Sequence, residues 1–347
     1  MTDDVLFERR GPLGLITLTR PRALNALTRD MCVAMKAQLD EWSADEAVKT
    51  VVIRGTGERA FCAGGDIRAL YDAGNSDVER AISFYRDEYR LNATIKHYPK
   101  PYVALLHGVV MGGGVGVSVH GSHRVADETV VFAMPETAIG LFPDVGGSYF
   151  LPRLPGETGM YLALTGERLK TADAVYAGLA THFVPAKERD ALLAALESGT
   201  NPDLVLQSFQ DSPGEPSLAA VREEIDRTFS QDSVEGILAA LDSEGSEWAR
   251  NVAAGLRKKS PTSLKVTFRQ LREGRHLSFD DCLRMEFRMV NRMTAGQDFR
   301  EGVRALLIDK DNAPRWQPDK LSDVSGAAVD ASFAPLSGGE LVLSQIT

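Results

Sequence analysis

Between Tyr102 and Asp144 lies the stretch that most constrains this chain. It begins Tyr-Val-Ala-Leu-Leu-His-Gly-Val-Val-Met-Gly-Gly-Gly-Val-Gly, and from Phe132 it continues Phe-Ala-Met-Pro-Glu-Thr-Ala-Ile-Gly-Leu-Phe-Pro-Asp. The apolar run Val103 to Leu106 reads as a buried strand leading into Gly112, Gly113 and Gly114. Glycines let a backbone take conformations that side chains forbid and approach a ligand closely. Where a strand turns into a helix, the first N–H groups lack helical partners and sit at the positive end of the dipole. Two acids follow, Glu136 and Asp144. Backbone donors beside a carboxylate suit acyl chemistry, which needs a place for an oxyanion and a group to act on water or substrate.

Three plainer readings compete. A membrane span wants ~20 mainly apolar residues, whereas His107, Ser118 and the glycines at 108, 112, 113, 114 and 116 interrupt this run. A dinucleotide-binding turn requires G-x-G-x-x-G, and Gly112, Gly114 and Gly116 alternate without the last glycine. A packing turn without chemistry stays open on the glycines alone.

The 347 residues hold 39 Lys and Arg against 48 Asp and Glu, a formal charge of −9. This excludes a general nucleic-acid binder, which would be basic, and leaves room for a local cationic pocket. Cys32, Cys62 and Cys282 are far apart, so no disulfide framework or zinc site is expected and a reducing compartment fits. The six histidines show no metal-ligand spacing, and no metal is expected. The acidic start lacks the basic and apolar regions of a signal peptide, so the expectation is a cytoplasmic protein without a membrane partner.

Residues 4–9 and 14–19 read as a hairpin about Arg10-Gly-Pro-Leu-Gly14. Thr28 is an N-cap for a helix with Met31, Met35, Leu39 and Trp42 on one face. Val51 to Ile53 form a short strand. A second glycine turn, Ala60-Phe-Cys-Ala-Gly-Gly-Asp-Ile67, places Asp66 to cap a helix starting at Ile67. A helix from about Asp77 to Lys96 follows and carries Glu88. Past Asp144, helices are expected near 147–151, from Glu157, over 171–178 and over 187–198, with a strand at 182–184. The tract 199–216, rich in Pro, Ser, Asp and Gly, reads as a boundary. Beyond it come helices at 217–229, 234–241, 260–272 and 278–293, the last with Phe279, Leu283, Phe287 and Val290 on one face. The expected layout is a core at 1–200 holding the active site, a helical region at 201–320, and a poorly ordered tail at 321–347.

Arg20-Pro-Arg-Ala-Leu-Asn-Ala-Leu, Ala60-Phe-Cys-Ala-Gly-Gly-Asp-Ile and His107-Gly with Met111-Gly-Gly-Gly resemble the enoyl-CoA hydratase/isomerase (crotonase) superfamily. Phe299-Arg-Glu-Gly-Val-Arg-Ala extends the match. Glu88-Tyr-Arg-Leu-Asn, the segment from Phe132 to Gly147 and Leu307-Ile-Asp-Lys-Asp-Asn-Ala-Pro-Arg-Trp are most similar to its 3-hydroxyisobutyryl-CoA hydrolase subfamily.

The fold this resemblance implies is α/β: a crotonase-like spiral of ββα units with an enlarged C-terminal helical region. It implies that the N–H groups of Gly65 and Gly113 bind the thioester oxygen. Glu136 and Asp144 would be catalytic. Glu88, Gly64, Asp66, Ile67 and Gly112 would line the substrate site, with Arg22 and Arg68 near the nucleotide.

Where a typical hydratase has a second glutamate, this chain has Gly116, so the resemblance favours thioester hydrolysis, with 3-hydroxyisobutyryl-CoA of valine breakdown as the substrate. Glu136 would attack the thioester or activate water. An enoyl-CoA hydratase or isomerase, and a non-catalytic acyl-CoA-binding protein, remain alternatives. CoA would be part of the substrate, with no retained cofactor. The superfamily often forms trimers or hexamers, which the larger helical region could prevent.

Overall fold

The computed structural model describes residues 3–76 and 78–343; Asp77, the expected start of a helix, lies outside them. The N-terminal hairpin is as expected. Strands β1 (Val5–Arg10) and β2 (Leu13–Leu18) pair antiparallel, Val5 opposite Leu18, and Gly11 has φ +60° in the turn. Helix α1 (Arg29–Ala44) follows, its Met31 N–H bonded to the Thr28 hydroxyl, with Met31, Met35, Leu39 and Trp42 all buried. Next come β3 (Thr50–Gly55), β4 (Ala60–Cys62), α2 (Ile67–Ser76), α3 (Val78–Lys96), β5 (Tyr102–Leu106), β6 (Val109–Met111), the one-turn α4 (Gly113–Gly116), β7 (His123–Ala126) and β8 (Val131–Ala133). The middle of the chain adds α5 (Gly147–Phe150), α6 (Thr158–Thr165), β9 (Leu169–Lys170), α7 (Thr171–Tyr176), β10 (His182–Phe183) and α8 (Arg189–Leu196).

The strands form two sheets. The larger has the order β1-β2-β3-β5-β7-β10 and is parallel from β2 onward. Its middle strands read as continuous apolar runs because a parallel sheet is covered on both faces; β5 is buried at every residue. The smaller sheet has the order β4-β6-β8-β9. Its first three strands are parallel neighbours, Ala60 opposite Val109 and Met111 opposite Ala133. This register aligns their carboxyl ends, from which run the Gly64-Gly65 turn, the Gly112-Gly113 turn and the 3-10 turn Glu136–Ile139. In open α/β sheets, ligands bind outside the carboxyl ends of the strands.

The C-terminal half is helical: α9 (Pro202–Phe209), α10 (Leu218–Phe229), α11 (Val234–Glu244), α12 (Glu247–Leu256), α13 (Pro261–Gly274), α14 (Phe279–Met293), α15 (Gln297–Val303), a π turn at Arg304–Ile308, and α16 (Gly326–Phe333). Phe279, Leu283, Phe287 and Val290 of α14 are buried, as their spacing requires.

Two local readings change. The tract 199–216 contains α9, capped by the Asn201 side chain and burying Val205 and Leu206. Polar flanks on both sides hid its short apolar stripe. Within the expected poorly ordered tail, 326–333 form α16, capped by Ser325 and anchored by buried Val329 and Phe333, and 344–347 lie outside the described residues. The Arg269 guanidinium lies 4.4 Å from the centre of the Phe333 ring. Helix α12, capped by Ser246, lies within the stretch expected to be helical.

Candidate active site

A cavity of about 310 Å³ opens at the ends of β4, β6 and β8. Its lining brings together Gly64, Gly65, Asp66, Ile67, Arg68, Glu88, Gly112, Gly113, Glu136 and Asp144. Among the sequence candidates, only Arg22 is not on this lining. It stands exposed in the 3-10 turn Pro21–Ala23, which turns Ala23 inward instead. A larger cavity, about 620 Å³, lies across Leu306 among α6, α10 and α12, and none of the three acids lines it. We assign the site to the smaller cavity because the glycine turns and the acids converge there.

The two glycine turns are stacked. A Cβ on Gly64, at φ +115°, would lie 3.3 Å from the Met111 carbonyl and 3.6 Å from the Gly113 nitrogen. A Cβ on Gly113 would meet Glu88 Oε1 at 2.4 Å and the Gly65 nitrogen at 3.3 Å. Only glycine fits such an approach. Gly113 is the first residue of α4, so its N–H has no intrahelical acceptor. Among the described residues, neither it nor the Gly65 N–H donates a hydrogen bond. The Asp66 carboxylate is engaged in structure: it caps α2 through the Ala69 N–H (3.2 Å) and accepts from Arg20 (3.0 Å).

Glu136 opens its 3-10 turn directly after β8 and Pro135, and is 6% exposed. A Cβ on Gly112 would come within 3.3 Å of Glu136 Oε1, so the acid faces the second glycine turn. Its Oε2 is buried with no hydrogen-bond partner among the described residues. Asp144 accepts a 2.9 Å hydrogen bond from the buried Tyr89 hydroxyl. Glu88 reaches in from α3, its Oε1 also unpartnered.

Three buried acids in one cavity resist ionisation. Burial and then the charges of Asp144, Glu136 and Glu286 hold the Glu88 carboxyl well above its ordinary range. Burial, followed by Asp144, does the same to Glu136, partly offset by Lys259 on the far side of its turn. Burial raises Asp144 to about 7 against the Tyr89 hydrogen bond, which favours its charged form. The three carboxyls therefore titrate as a coupled group, each opposing ionisation of its neighbours.

Position 116 is closed. A Cβ there would lie 2.7 Å from Val145 Cβ and 2.8 Å from Asn92 Nδ2. No second carboxylate can enter from this position without displacing both.

Residues 13–333 match the family model described as enoyl-CoA hydratase/isomerase. The chain belongs to the enoyl-CoA hydratase/isomerase family. It is 50% identical over 350 residues to the mitochondrial 3-hydroxyisobutyryl-CoA hydrolase of Danio rerio, covering 98% of this chain and 92% of that protein. The Gallus gallus protein of the same name is 49% identical, with 98% and 91% covered. Among solved structures, one described as a carnitinyl-CoA dehydratase from Mycobacterium thermoresistibile superposes with a TM-score of 0.94 at 42% identity, covering 98% of this chain and 99% of that one. Family and structural likeness together give the crotonase fold expected from the motifs. They also overturn one expectation: these hydrolases are mitochondrial, so the cytoplasmic reading, which rested on the lack of a leader-like start, is withdrawn.

Several lining residues escaped the sequence reading as site residues. Tyr85 on the lining, and Tyr89 behind Asp144, were legible only as apolar positions of a helix face. Leu306 and Leu307, in the π turn, line the cavity from the C-terminal half. No local signal marks them as substrate contacts.

Proposed function

We propose that this chain hydrolyses the thioester of 3-hydroxyisobutyryl-CoA, giving 3-hydroxyisobutyrate and CoA, a step that serves valine breakdown. The hydrolase relatives at half identity over almost the full length support this chemistry. The observation that carries it within the site is the closed position 116 opposite a cavity with Glu136 and Asp144. Addition of water to a double bond in this superfamily uses a second glutamate at that position, and here a glycine is packed against Val145 and Asn92.

The thioester carbonyl oxygen would be received by the N–H groups of Gly65 and Gly113, which have no acceptor among the described residues. Negative charge develops on that oxygen as the tetrahedral intermediate forms, and each donor lowers the barrier by on the order of 3 kcal/mol. Glu136 attacks the carbonyl carbon, or removes a proton from the water that does. The C–S bond then breaks and CoA leaves as the thiol after taking up a proton; where Glu136 is the nucleophile, water opens the resulting anhydride, freeing 3-hydroxyisobutyrate and the Glu136 carboxylate. Asp144, held by Tyr89, orients Glu136 or the substrate hydroxyl. Glu88, whose carboxyl burial holds above its ordinary range, can in its protonated form donate a hydrogen bond to the substrate. Arg68 at the mouth faces the CoA portion, which enters as substrate and is released as product.

Free-thiol release from a panel of acyl-CoAs tests the proposal. Hydrolysis of 3-hydroxyisobutyryl-CoA in preference to saturated acyl-CoAs is the expected result. Hydration of crotonyl-CoA without thiol release would replace it with the hydratase reading, and binding without turnover would leave a non-catalytic protein. Single-turnover analysis in ¹⁸O-water separates the two routes, because only attack by Glu136 itself can label its carboxylate.

A further inference from the structure

The turn that carries Asp144 closes on itself through the Gly147 N–H to the Asp144 carbonyl (2.8 Å) and is otherwise held by side chains from elsewhere in the chain. Val145 has φ +51° and Gly146 has φ +86°. A β-branched residue in the left-handed region is a backbone outlier, and such strain persists only where the surroundings over-determine it. Three side chains do so here. The Val145 carbonyl can only accept, so His120, 2.7 Å away, donates from Nε2. Gln270 Nε2 donates to the Pro143 carbonyl at 2.6 Å and to the Ser148 hydroxyl at 2.8 Å. Glu286, fully buried on α14, accepts the Gly146 N–H at 2.8 Å with one oxygen and the Ser148 N–H at 2.9 Å with the other.

We infer that Glu286 is the positioning residue of Asp144: its carboxylate bridges the two N–H groups that follow the acid and so fixes the strained turn that aims Asp144 into the cavity. The inference rests on the proposed role of Asp144. Glu286 is not on the cavity lining, so it acts through the turn and not on substrate. A carboxylate suits the place because both its oxygens only accept. An amide there would oppose one N–H with its own NH₂ and keep only one tether.

The titratable groups facing Glu286 are Asp144 on the turn, Glu88 and Tyr89 on α3, and Cys282 on its own helix. Asp144 works against ionisation of Glu286, not the reverse, so the link from Glu286 to Asp144 is the geometry of the turn. Loosening that turn reduces turnover.

The test compares E286Q, E286D, D144N and the double variant E286Q/D144N with the natural protein in 3-hydroxyisobutyryl-CoA hydrolysis. We expect E286Q to lower kcat by about 10- to 100-fold, the scale of an ångström-size misplacement, with KM little changed. The double variant should be no worse than D144N alone, which a merely structural role would not produce. E286D keeps two accepting oxygens but shortens the reach, so it should also lose kcat with KM little changed. It also carries the test if E286Q fails to fold. Natural kcat in folded E286Q or E286D, with D144N impaired, overturns the positioning role and leaves Asp144 in place. Natural kcat in D144N overturns the reading of Asp144 itself.

Discussion

Glu136 is the residue on which the proposed chemistry turns. Either hydrolytic route needs its carboxylate, so Glu136→Gln should lower kcat at least ~100-fold, the low end for loss of a general base. The CoA contacts and backbone donors remain, so KM should change little in a thiol-release assay. Unchanged turnover would move the chemistry to Glu88 or Asp144. Gly116 makes the complementary case. Gly116→Glu restores the acid of a hydratase in sequence only, because its first side-chain carbon already collides with Val145 and Asn92. Overpacking of this kind costs typically about 1–3 kcal/mol, so the expected outcome is a lower Tm and no crotonyl-CoA hydration. A stable variant that hydrates crotonyl-CoA would contradict the closed position.

The elements that matter most are the short ones. β4, β6 and β8 have three residues each, yet their parallel register delivers Gly65, Gly113 and Glu136 to one mouth. Gly113→Pro tests this arrangement. Proline is tolerated at the first position of a helix such as α4, but it removes the N–H, and its ring carbons meet Glu88. Turnover should be lost while the far-ultraviolet circular dichroism is kept; a folded variant with natural kcat would remove Gly113 from the oxyanion site. At the other end of the chain, α16 is attached through Phe333, which is 7% exposed. Phe333→Ala should lower stability by about 3 kcal/mol, the low end for a buried phenylalanine, measured by denaturant unfolding. No change would mean that α16 packs without contributing.

At the scale of the whole molecule, the buried acids set the pH behaviour. Burial raises Asp144 from 3.8 to about 7, and burial raises Glu286 from 4.5 to about 8. A carboxyl raised on folding favours the folded state below its unfolded value, and that advantage is lost as pH rises through the folded one. Stability should therefore decline between about pH 4 and 8, while activity, which needs ionised Glu136, should rise with pH. Thermal unfolding and kcat measured together across that range check both signs. Glu88→Gln should raise Tm at the alkaline end, since it removes a charge that burial opposes. Parallel rise of stability and activity would contradict the assignment of these acids as raised.

Much of this molecule could be read from its sequence. The hairpin, the capped helix at Thr28, the α14 face and both glycine turns depend on neighbours a few residues apart, where periodicity and capping act directly. The order of the glycine turns, Glu136 and Asp144 placed the chain in its family before any fold was known. The sequence alone could not show that Gly116 is walled in by Asn92 and Val145, that Tyr89 holds Asp144, or that Leu306 lines the cavity. Nor could it connect Glu286 to the Gly146 N–H, 140 residues away in sequence. Those pairings carry no local period. They exist only once two sheets and α14 have packed and shut water out, leaving each buried donor and acceptor to find its partner across the fold.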